Sequence, residues 1–490
     1  MTGQDPMPSD ALRHLLAATD FALRREPDVP ATLTDIQWRA DACGPGSILF
    51  FQRFDDGRTD AEVYRRYLAE SPCAALVTNR ALDCFDALPG KGIYVTRPGA
   101  WAATVGRFCD LIYPLPSRLG FVGVTGTNGK TTTVKYLEAM LAAQGRRVLS
   151  IGTLGVSRNG ERLLETGFTS PPQIELRRLL HAEQGRCDLV AMEVSSHALD
   201  QGRVHGIPLQ NAGWTNFTQD HLDYHRDEAS YFAAKARILD LIQPGGRLFC
   251  SSAAVAQRLR LHLGLRKTDE PGLPLQVLKP ASLGPEIIAA RPFLALEHNR
   301  ANYALAAALA DGILGPGERP YWQALTAVDG RFECRVVGHR TLVIDFAHTP
   351  DALETILRAI RTAFPQARVA TLFGCGGDRD RGKRPLMGAA VARHSDQIIL
   401  TSDNPRSEDP ERIIGDILAG MPQRRAEVVV ERAEAVARLF DLLAARPADE
   451  PWVALIAGKG HERYIDRGGL KTYYSDHDEV ERNLRRLGWA

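Results

Sequence analysis

The 490-residue chain has little that would tie it to a membrane, a nucleic acid or an oxidising compartment. Its 60 Lys and Arg are balanced by 59 Asp and Glu, which leaves a formal net charge of +1. No excess of either sign favours a nucleic-acid or polybasic membrane partner, so a bound anion must be met by local placement of charge. No apolar run nears the roughly 18 residues of a bilayer crossing. The longest, Tyr303–Ala310, is rich in alanine and suits a packed helix. Met1–Arg25 lacks the basic start, apolar stretch and small-residue cleavage site of a signal peptide. The eight cysteines (Cys43, Cys73, Cys84, Cys109, Cys187, Cys250, Cys334 and Cys375) include no C-x-x-C pair and read as thiols in a reducing compartment. These absences predict a cytoplasmic protein, not membrane-embedded, with small-molecule rather than nucleic-acid partners.

At about 150 residues per domain the length suggests roughly three domains. Residues 1–117 read as a small mixed region, with strands at 46–51 and 74–78, a helix over 60–69, and a linker at Pro114-Leu-Pro116. From Gly120 apolar strands (121–125, 148–152, 189–194, 212–217) alternate with helices (131–144, 173–183, 231–241). That alternation predicts a parallel sheet covered on both faces. Residues 264–284 look irregular, and a helix follows over 299–310. A third block begins near Asp329, with strands at 341–346, 368–374, 397–401, 426–430 and 452–457. Helices at 351–363, 384–393, 411–419 and 433–445 separate those strands. In such doubly wound folds ligands sit beyond the carboxyl ends of the strands.

The chemistry is most concentrated at Gly123-Val-Thr-Gly126-Thr127-Asn128-Gly129-Lys130-Thr131-Thr132-Thr133, between a strand and a helix. Glycines let backbone N–H groups turn towards an anion, and the helix N-terminus adds favourable dipole charge. Lys130 can neutralise terminal phosphate oxygens, and Thr131 can offer a hydroxyl to Mg²⁺. Val124 stands where the strict phosphate-loop pattern has glycine, and Gly126 supplies the freedom instead. The reading is ATP binding.

With this loop come further islands, in order. They are Met192-Glu-Val-Ser-Ser-His-Ala-Leu199, Asn216-Phe-Thr-Gln-Asp-His-Leu-Asp-Tyr-His225, Tyr231-Phe-Ala-Ala-Lys235 and Glu297-His-Asn-Arg-Ala-Asn302. Gly330-Arg-Phe-Glu333, Asp345-Phe-Ala-His-Thr-Pro-Asp351, Gly374–Arg384, Asp403-Asn-Pro-Arg406 and Gly458-Lys-Gly-His-Glu462 complete the set. Together the sequence resembles the Mur ligase superfamily, and within it the ligases that add meso-diaminopimelate. The resemblance implies an α/β, three-domain architecture. Residues 1–117 would be the N-terminal domain for a UDP-linked substrate, 118–327 a central ATPase-type parallel sheet, and 328–490 a C-terminal Rossmann-like domain for the amino acid.

The resemblance also implies an activity, ATP-dependent and ADP-forming addition of meso-diaminopimelate to UDP-N-acetylmuramoyl-L-Ala-D-Glu through an acyl phosphate, by a monomer. Glu193 and His221 would ligate Mg²⁺, Lys235 would carry a CO₂-derived carbamate as a further ligand, and Thr131 would face another Mg²⁺. On their own residues, Glu193, His221 and Lys235 read as a strand-end acid, a structural histidine and a solvated helix lysine. Asn299 and Asn302 would lie near the adenine, with helix capping the plainer reading. Arg331, Asp345 and His348 would reach the nucleotide from the third domain. Thr169, Ser170, Ser195, Gln201 and Arg203 would contact the muramoyl peptide. Arg379, Asp403, Asn404, Pro405, Arg406, Gly458 and Glu462 would bind diaminopimelate, Arg406 gripping its distal carboxylate. Arginine can fork two N–H groups onto a carboxylate; the other reading pairs Arg406 with Glu408 or Asp409. Lys459 and His461 share the Glu462 loop without assigned roles.

The first domain departs from the family pattern. Trp38 stands where a serine is usual, the later glycine-aspartate segment is reduced to Asp55-Asp-Gly57, the stretch before His298 is short, and Phe346 replaces a tyrosine. These departures keep a second reading open, a related ligase that joins diaminopimelate or a similar amino acid to a different carboxylate donor. A non-catalytic ATP-binding protein on the same fold would have lost Lys130, Thr131, Glu193, His221 or Lys235, and all are present.

Overall fold

A computed structural model describes residues 9–27, 32–54, 57–264, 275–328, 330–423 and 425–489. Expectations that fall on Met1–Pro8, Asp55, Asp56, the 265–274 stretch and Asp329 lie outside the described residues.

The first sheet is built from β1 (Phe21–Arg25), β2 (Asp35–Gln37), β3 (Ser47–Phe51), β4 (Ala75–Thr78) and β5 (Gly92–Thr96) in the order β1-β5-β4-β3-β2. Its pairings are parallel except for β1, which runs antiparallel along β5. The middle strands are apolar without alternation because both faces are covered. Ile48, Phe50, Val77 and Tyr94 pack with Val105 and Phe108 of the helix Trp101–Ile112. Leu49, Leu76 and Ile93 pack with Val63 and Leu68 on the other face. The helix expected over 60–69 opens on a reciprocal Thr59–Glu62 capping box and continues as a wider π-helical turn at Tyr64–Leu68.

The second sheet contains β6 (Gly120–Thr125), β7 (Val148–Gly152), β8 (Gly155–Arg158), β9 (Glu161–Leu164), β10 (Leu189–Glu193), β11 (Leu209–Trp214), β12 (Ile242–Cys250) and β13 (Leu275–Val277). Their order is β13-β12-β11-β6-β10-β7-β8-β9. The expected parallel sheet is extended at one edge, where β7, β8 and β9 form an antiparallel ribbon. Asn159 and Gly160 turn that ribbon at φ 49° and 87°, the left-handed geometry of a two-residue hairpin. The stretch expected to be irregular contributes β13, parallel to β12.

The third sheet holds β14 (Glu333–Val337), β15 (Arg340–Asp345), β16 (Arg368–Phe373), β17 (Gln397–Leu400), β18 (Glu427–Val428) and β19 (Trp452–Ala457), in the order β14-β15-β19-β16-β17-β18. All pairings are parallel except β14 with β15. A separate hairpin, β20 (Tyr464–Arg467) and β21 (Leu470–Tyr473), turns at Gly468 and Gly469. Every residue of β19 is buried. Ile344, Leu372 and Ile456 pack against Val436, Leu439, Phe440 and Leu484 of two covering helices. Thr349, Asp409 and Ser475 side chains cap the helices that follow them, and proline opens the first two.

By contact the chain divides into two compact units. One comprises Met1–Gly123, Arg146–Asn211 and Arg237–Gly246; the other comprises Val124–Gly145, Ala212–Ala236 and Arg247–Ala490. Among the described residues no helix is long and apolar enough to cross a membrane.

Candidate functional site

In the second unit, the loop after β6 enters the helix Lys130–Ala143 through Gly129, its N-cap, at φ 84°. A Cβ on Gly129 would press on Asn302 Oδ1, and one on Gly126, at φ 136°, would run into the Thr215 side chain. Glycine is therefore required at both by backbone angle and by space. The loop is braced from behind. Thr127 N donates to the Asn216 carbonyl (3.1 Å), Asn128 N to Asn216 Oδ1 (2.9 Å), and Asn128 Nδ2 to Asp351 (3.2 Å). Lys130 folds over it, donating to the carbonyls of Gly126 (2.9 Å) and Thr127 (2.8 Å). Thr131 and Thr132 are buried in the first helical turn, and Arg331 reaches Thr131 Oγ1 at 3.4 Å.

Lys235, at the end of the helix Glu228–Ala236, is fully buried beside this loop. It donates to the Gly126 carbonyl at 2.8 Å and lies 4.6 Å from the centre of the Tyr231 ring. Burial pushes its pKa well below the ordinary lysine value, Lys130 nearby pushes the same way, and Asp220 opposes them. Asp220 sits 3.5 Å from His221, whose backbone takes a left-handed φ of 54°. Burial would raise the Asp220 pKa, but His221, His348 and Lys383 outweigh it and hold the carboxylate at about 2.

Asn299 and Asn302 lie on the helix Glu297–Leu314, both buried. Asn299 donates to the Phe293 carbonyl (2.8 Å), while Asn302 sits over Gly129. Asp345, at the end of β15, accepts from Phe332 N and Ala347 N, each at 2.7 Å, and so fixes the loop that carries Arg331. Burial raises its pKa against the influence of Arg331. The Arg331 guanidinium stacks over Phe346 at 4.5 Å, a contact that the replacement of tyrosine leaves available.

A cavity of about 150 Å³ opens beyond the carboxyl ends of the third sheet's strands. It is lined by Arg379, Asp403, Asn404, Arg406, Gly458 and Glu462, together with Asp220, His221, Asp223, Lys383 and His348. His348, grouped with the nucleotide in the sequence reading, thus lines the same cavity as the amino-acid residues. Its Nδ1 faces the Phe346 carbonyl at 2.8 Å, and burial, aided by Lys383, lowers its pKa to about 4. Arg379 approaches Asp223 at 3.8 Å. Arg406 does not pair with Glu408 or Asp409. It donates to the Gly377 carbonyl (2.6 Å), while Glu408 binds Arg384 (2.8 Å) and Asp409 caps its helix. Pro405 accepts from Glu408 N through its carbonyl at 3.0 Å. Burial, together with Asp403, raises the Glu462 pKa, partly offset by Lys459 and Asn404.

In the first unit, Glu193 ends β10, buried, accepting from Thr153 N (2.8 Å) and Thr153 Oγ1 (3.2 Å). The expected muramoyl-peptide residues gather around it. Thr169 meets Thr153 at 3.1 Å, and Ser170 Oγ donates to the Glu193 carbonyl at 2.8 Å. Ser195 N donates to Ser170 Oγ (3.2 Å), and Arg203 donates to the Ser170 carbonyl (2.9 Å) and to Gln201 (2.8 Å). Gln201 and Arg203 also line a cavity of about 1020 Å³ walled by Trp38, Phe168, Trp101, Arg39 and Arg66. Trp38 meets Phe168 edge-on at 5.9 Å, and Arg203 lies over the same ring at 5.3 Å.

The sequence reading missed Asp220, Asp223, Tyr231 and Lys383 as parts of this apparatus. Each sits inside one of the quoted islands, which was the available signal. Among the described residues no cluster of three or more His, Cys, Asp or Glu is poised to hold a metal ion. Mg²⁺, which keeps waters and phosphate oxygens and takes few protein ligands, suits the hydroxyl that Thr131 offers in the second unit and the Glu193 carboxylate in the first.

A strand-loop-helix phosphate cradle beside a doubly wound sheet that offers opposed charges at its carboxyl end defines a nucleotide-binding α/β enzyme of the ligase kind. Family models match the chain as the Mur ligase middle domain over residues 124–264 and as the Mur ligase glutamate ligase domain over residues 330–460. A Synechococcus sp. (strain WH7803) protein named UDP-N-acetylmuramoyl-L-alanyl-D-glutamate--2,6-diaminopimelate ligase is 36% identical over 485 residues, spanning 93% of this chain and 95% of that one. An Aquifex aeolicus (strain VF5) protein of the same name is 37% identical over 403 residues, 78% of this chain and 80% of its own. The chain belongs to the Mur ligase family.

Solved structures agree on the fold. A protein titled UDP-N-acetylmuramoyl-L-alanyl-D-glutamate--2,6-diaminopimelate ligase superposes with TM-score 0.56 at 24% identity, covering 95% of this chain and 98% of that one. MurF from Acinetobacter baumannii gives TM-score 0.59 at 14% identity, covering 99% and 100%.

Proposed function

We propose that this chain uses ATP to join the amine of meso-diaminopimelate to a carboxylate of UDP-N-acetylmuramoyl-L-Ala-D-Glu, releasing ADP and phosphate, as a cytoplasmic monomer in peptidoglycan precursor synthesis. The observation that carries this is one cavity lined by Arg406, Arg379 and Glu462, in a chain whose relatives carry that name over nearly its whole length. An acceptor with two amines and two carboxylates needs such opposed charges. Residues 1–117, 118–327 and 328–490 are proposed as the domains for donor, ATP and amino acid.

ATP would lie along the loop 126–132, its phosphates met by backbone N–H groups and by Lys130 once that side chain leaves the Gly126 and Thr127 carbonyls. Asn299 and Asn302 are proposed to flank the base, with Arg331 and Asp345 beside the phosphates. Thr169, Ser170, Ser195, Gln201 and Arg203 would hold the peptide of the donor. A donor carboxylate oxygen attacks the γ-phosphorus, the bond to the β-phosphate oxygen breaks, and ADP leaves an acyl phosphate. The acceptor amine then attacks the acyl carbon and phosphate departs as the amide forms. Lys130 and the loop amides supply positioning and charge stabilisation, the main resource in phosphoryl transfer. Glu193, His221 and Lys235 would hold one Mg²⁺ and Thr131 another, and the bound metal would supply charge screening between the two anions.

Carbamylation of Lys235 fits its surroundings. Only a neutral amine attacks CO₂, giving a carbamate and a proton, and burial favours the neutral amine. Carbon-13 bicarbonate should give a carbamate signal with this chain and none with K235M. Activity is tested by ADP release from purified protein with ATP, Mg²⁺, donor and acceptor. ADP formation that requires both substrates supports the assignment, and formation independent of either refutes it.

A second reading rests on the Trp38–Phe168–Arg203 column, which puts an indole where the family pattern has serine. On that reading the carboxylate donor differs at its nucleotide end. A muramoyl dipeptide lacking UDP would then serve as well as the full nucleotide.

A further inference from the structure

Lys459 lies in the loop after β19, is fully buried, and does not line the acceptor cavity. Its ammonium meets four oxygens, the Tyr464 carbonyl (2.7 Å), Asn404 Oδ1 (3.0 Å), Asp403 Oδ1 (3.1 Å) and Glu462 Oε2 (3.6 Å). These partners come from the loop after β17, the loop after β19 and the start of β20. Asn404 then passes the constraint on. Its Nδ2 donates to Glu462 (2.9 Å), and its Oδ1 also accepts from Asp466 N (3.0 Å). Asp466 in turn takes the Arg406 N–H on its carbonyl at 2.9 Å, and the Arg406 carbonyl accepts from Gly468 N at 2.7 Å.

Two features make this arrangement more than packing. Arg406 sits at φ 51°, a left-handed backbone that a non-glycine residue keeps only where its surroundings over-determine it. Those surroundings are the Asp466 and Gly468 bonds, which the Asn404–Lys459 contact anchors. In addition, Asn404 Oδ1 can accept from both Lys459 and Asp466 only with its amide in one orientation, and that orientation aims Nδ2 at Glu462. A single buried cation therefore sets the amide, the carboxylate and the arginine turn together.

We propose that Lys459 is a positioning residue for the acceptor amino acid. Without touching that molecule, it fixes Glu462 and the Arg406 backbone so that an anionic and a cationic group face the cavity at a set spacing. This rests on the reading that the cavity takes a diamino dicarboxylic acid. Nothing in the Lys459 contacts reaches the phosphate loop, so its loss should fall on the acceptor alone.

The test is steady-state kinetics of the full chain with ATP, Mg²⁺, the nucleotide dipeptide and meso-diaminopimelate, comparing the unsubstituted chain with K459M and K459R. K459M should raise the KM for meso-diaminopimelate at least tenfold, with the KM for ATP within about twofold and kcat within about threefold. K459R, which keeps the charge but not the shape, should recover part of that loss. A folded K459M with an unchanged acceptor KM overturns the proposal, as does a fall in kcat with every KM unmoved. Should K459M not fold, K459R decides by the same criterion: a raised acceptor KM with an unmoved ATP KM supports the assignment, and an unchanged acceptor KM overturns it. Failure of the unsubstituted chain to release ADP in response to meso-diaminopimelate would instead refute the functional reading on which the proposal stands.

Discussion

In the phosphate loop, the groups offered to a ligand belong mostly to the backbone and are braced by neutral side chains such as Asn216, Asn128 and Thr215. In the cavity lined by Arg406 and Glu462 they are charged side chains, held by a buried ionic network in which Lys459 faces Asp403 and Arg432 faces Asp476 at 2.7 and 2.8 Å. The first arrangement needs glycine at two positions and little else locally. The second depends on matched charges at sites far apart in sequence, each costly to leave unpaired. Damage to the loop should therefore cost catalysis, whereas damage beneath the cavity should cost stability as well as acceptor binding.

The largest effect should come from breaking that network. D476N leaves the fully buried Arg432 without its carboxylate and should lower the unfolding free energy by about 3–5 kcal/mol. Denaturant unfolding checks this, and a loss within 1 kcal/mol would erase the contrast with the loop. K130M should instead leave unfolding nearly unchanged while lowering kcat by about 10²–10³-fold, the scale of losing one preorganised charge-stabilising group. The same melt together with an ADP-release assay separates the two regions.

Smaller effects sharpen the comparison. R406M should raise the KM for meso-diaminopimelate by roughly 10–100-fold, the worth of hydrogen bonds from a charged group, with the ATP KM unmoved. W38S, in the first unit's large cavity, should shift the donor KM by about 3–10-fold through loss of one aromatic contact. An unchanged donor KM would take Trp38 out of recognition.

The difference between the two regions also explains what could be read from the chain. The loop 126–132 is contiguous, and the strand and helix on either side of it follow from continuous apolar burial and a glycine cap. The parallel strands β10, β16 and β19 were legible for the same reason, being largely apolar and almost wholly buried. The antiparallel additions were passed over, although their turns are written plainly. Asn159-Gly160 and Gly468-Gly469 are two-residue hairpin signals, and Gly338-His339 joins β14 to β15. Their strands are short and partly exposed, so apolar periodicity alone does not find them.

Within the cavity, Arg406 stood out by its guanidinium on a loop after a strand, and Glu462 through the family resemblance. Lys459 did not, because its meaning lies in four partners that only folding assembles. His348 shows the converse. Its island placed it with Asp345, and its ring lines the cavity of Arg406 and Glu462.

The claim on which the account turns is that ATP activates a carboxylate before the amine arrives. Oxygen-18 placed in the carboxylates of the donor dipeptide tests it directly, with the released phosphate analysed by mass spectrometry. The account predicts one labelled oxygen in each phosphate formed, carried over when the acyl phosphate is broken by the amine. Phosphate released without label, while amide forms at the normal rate, would contradict it.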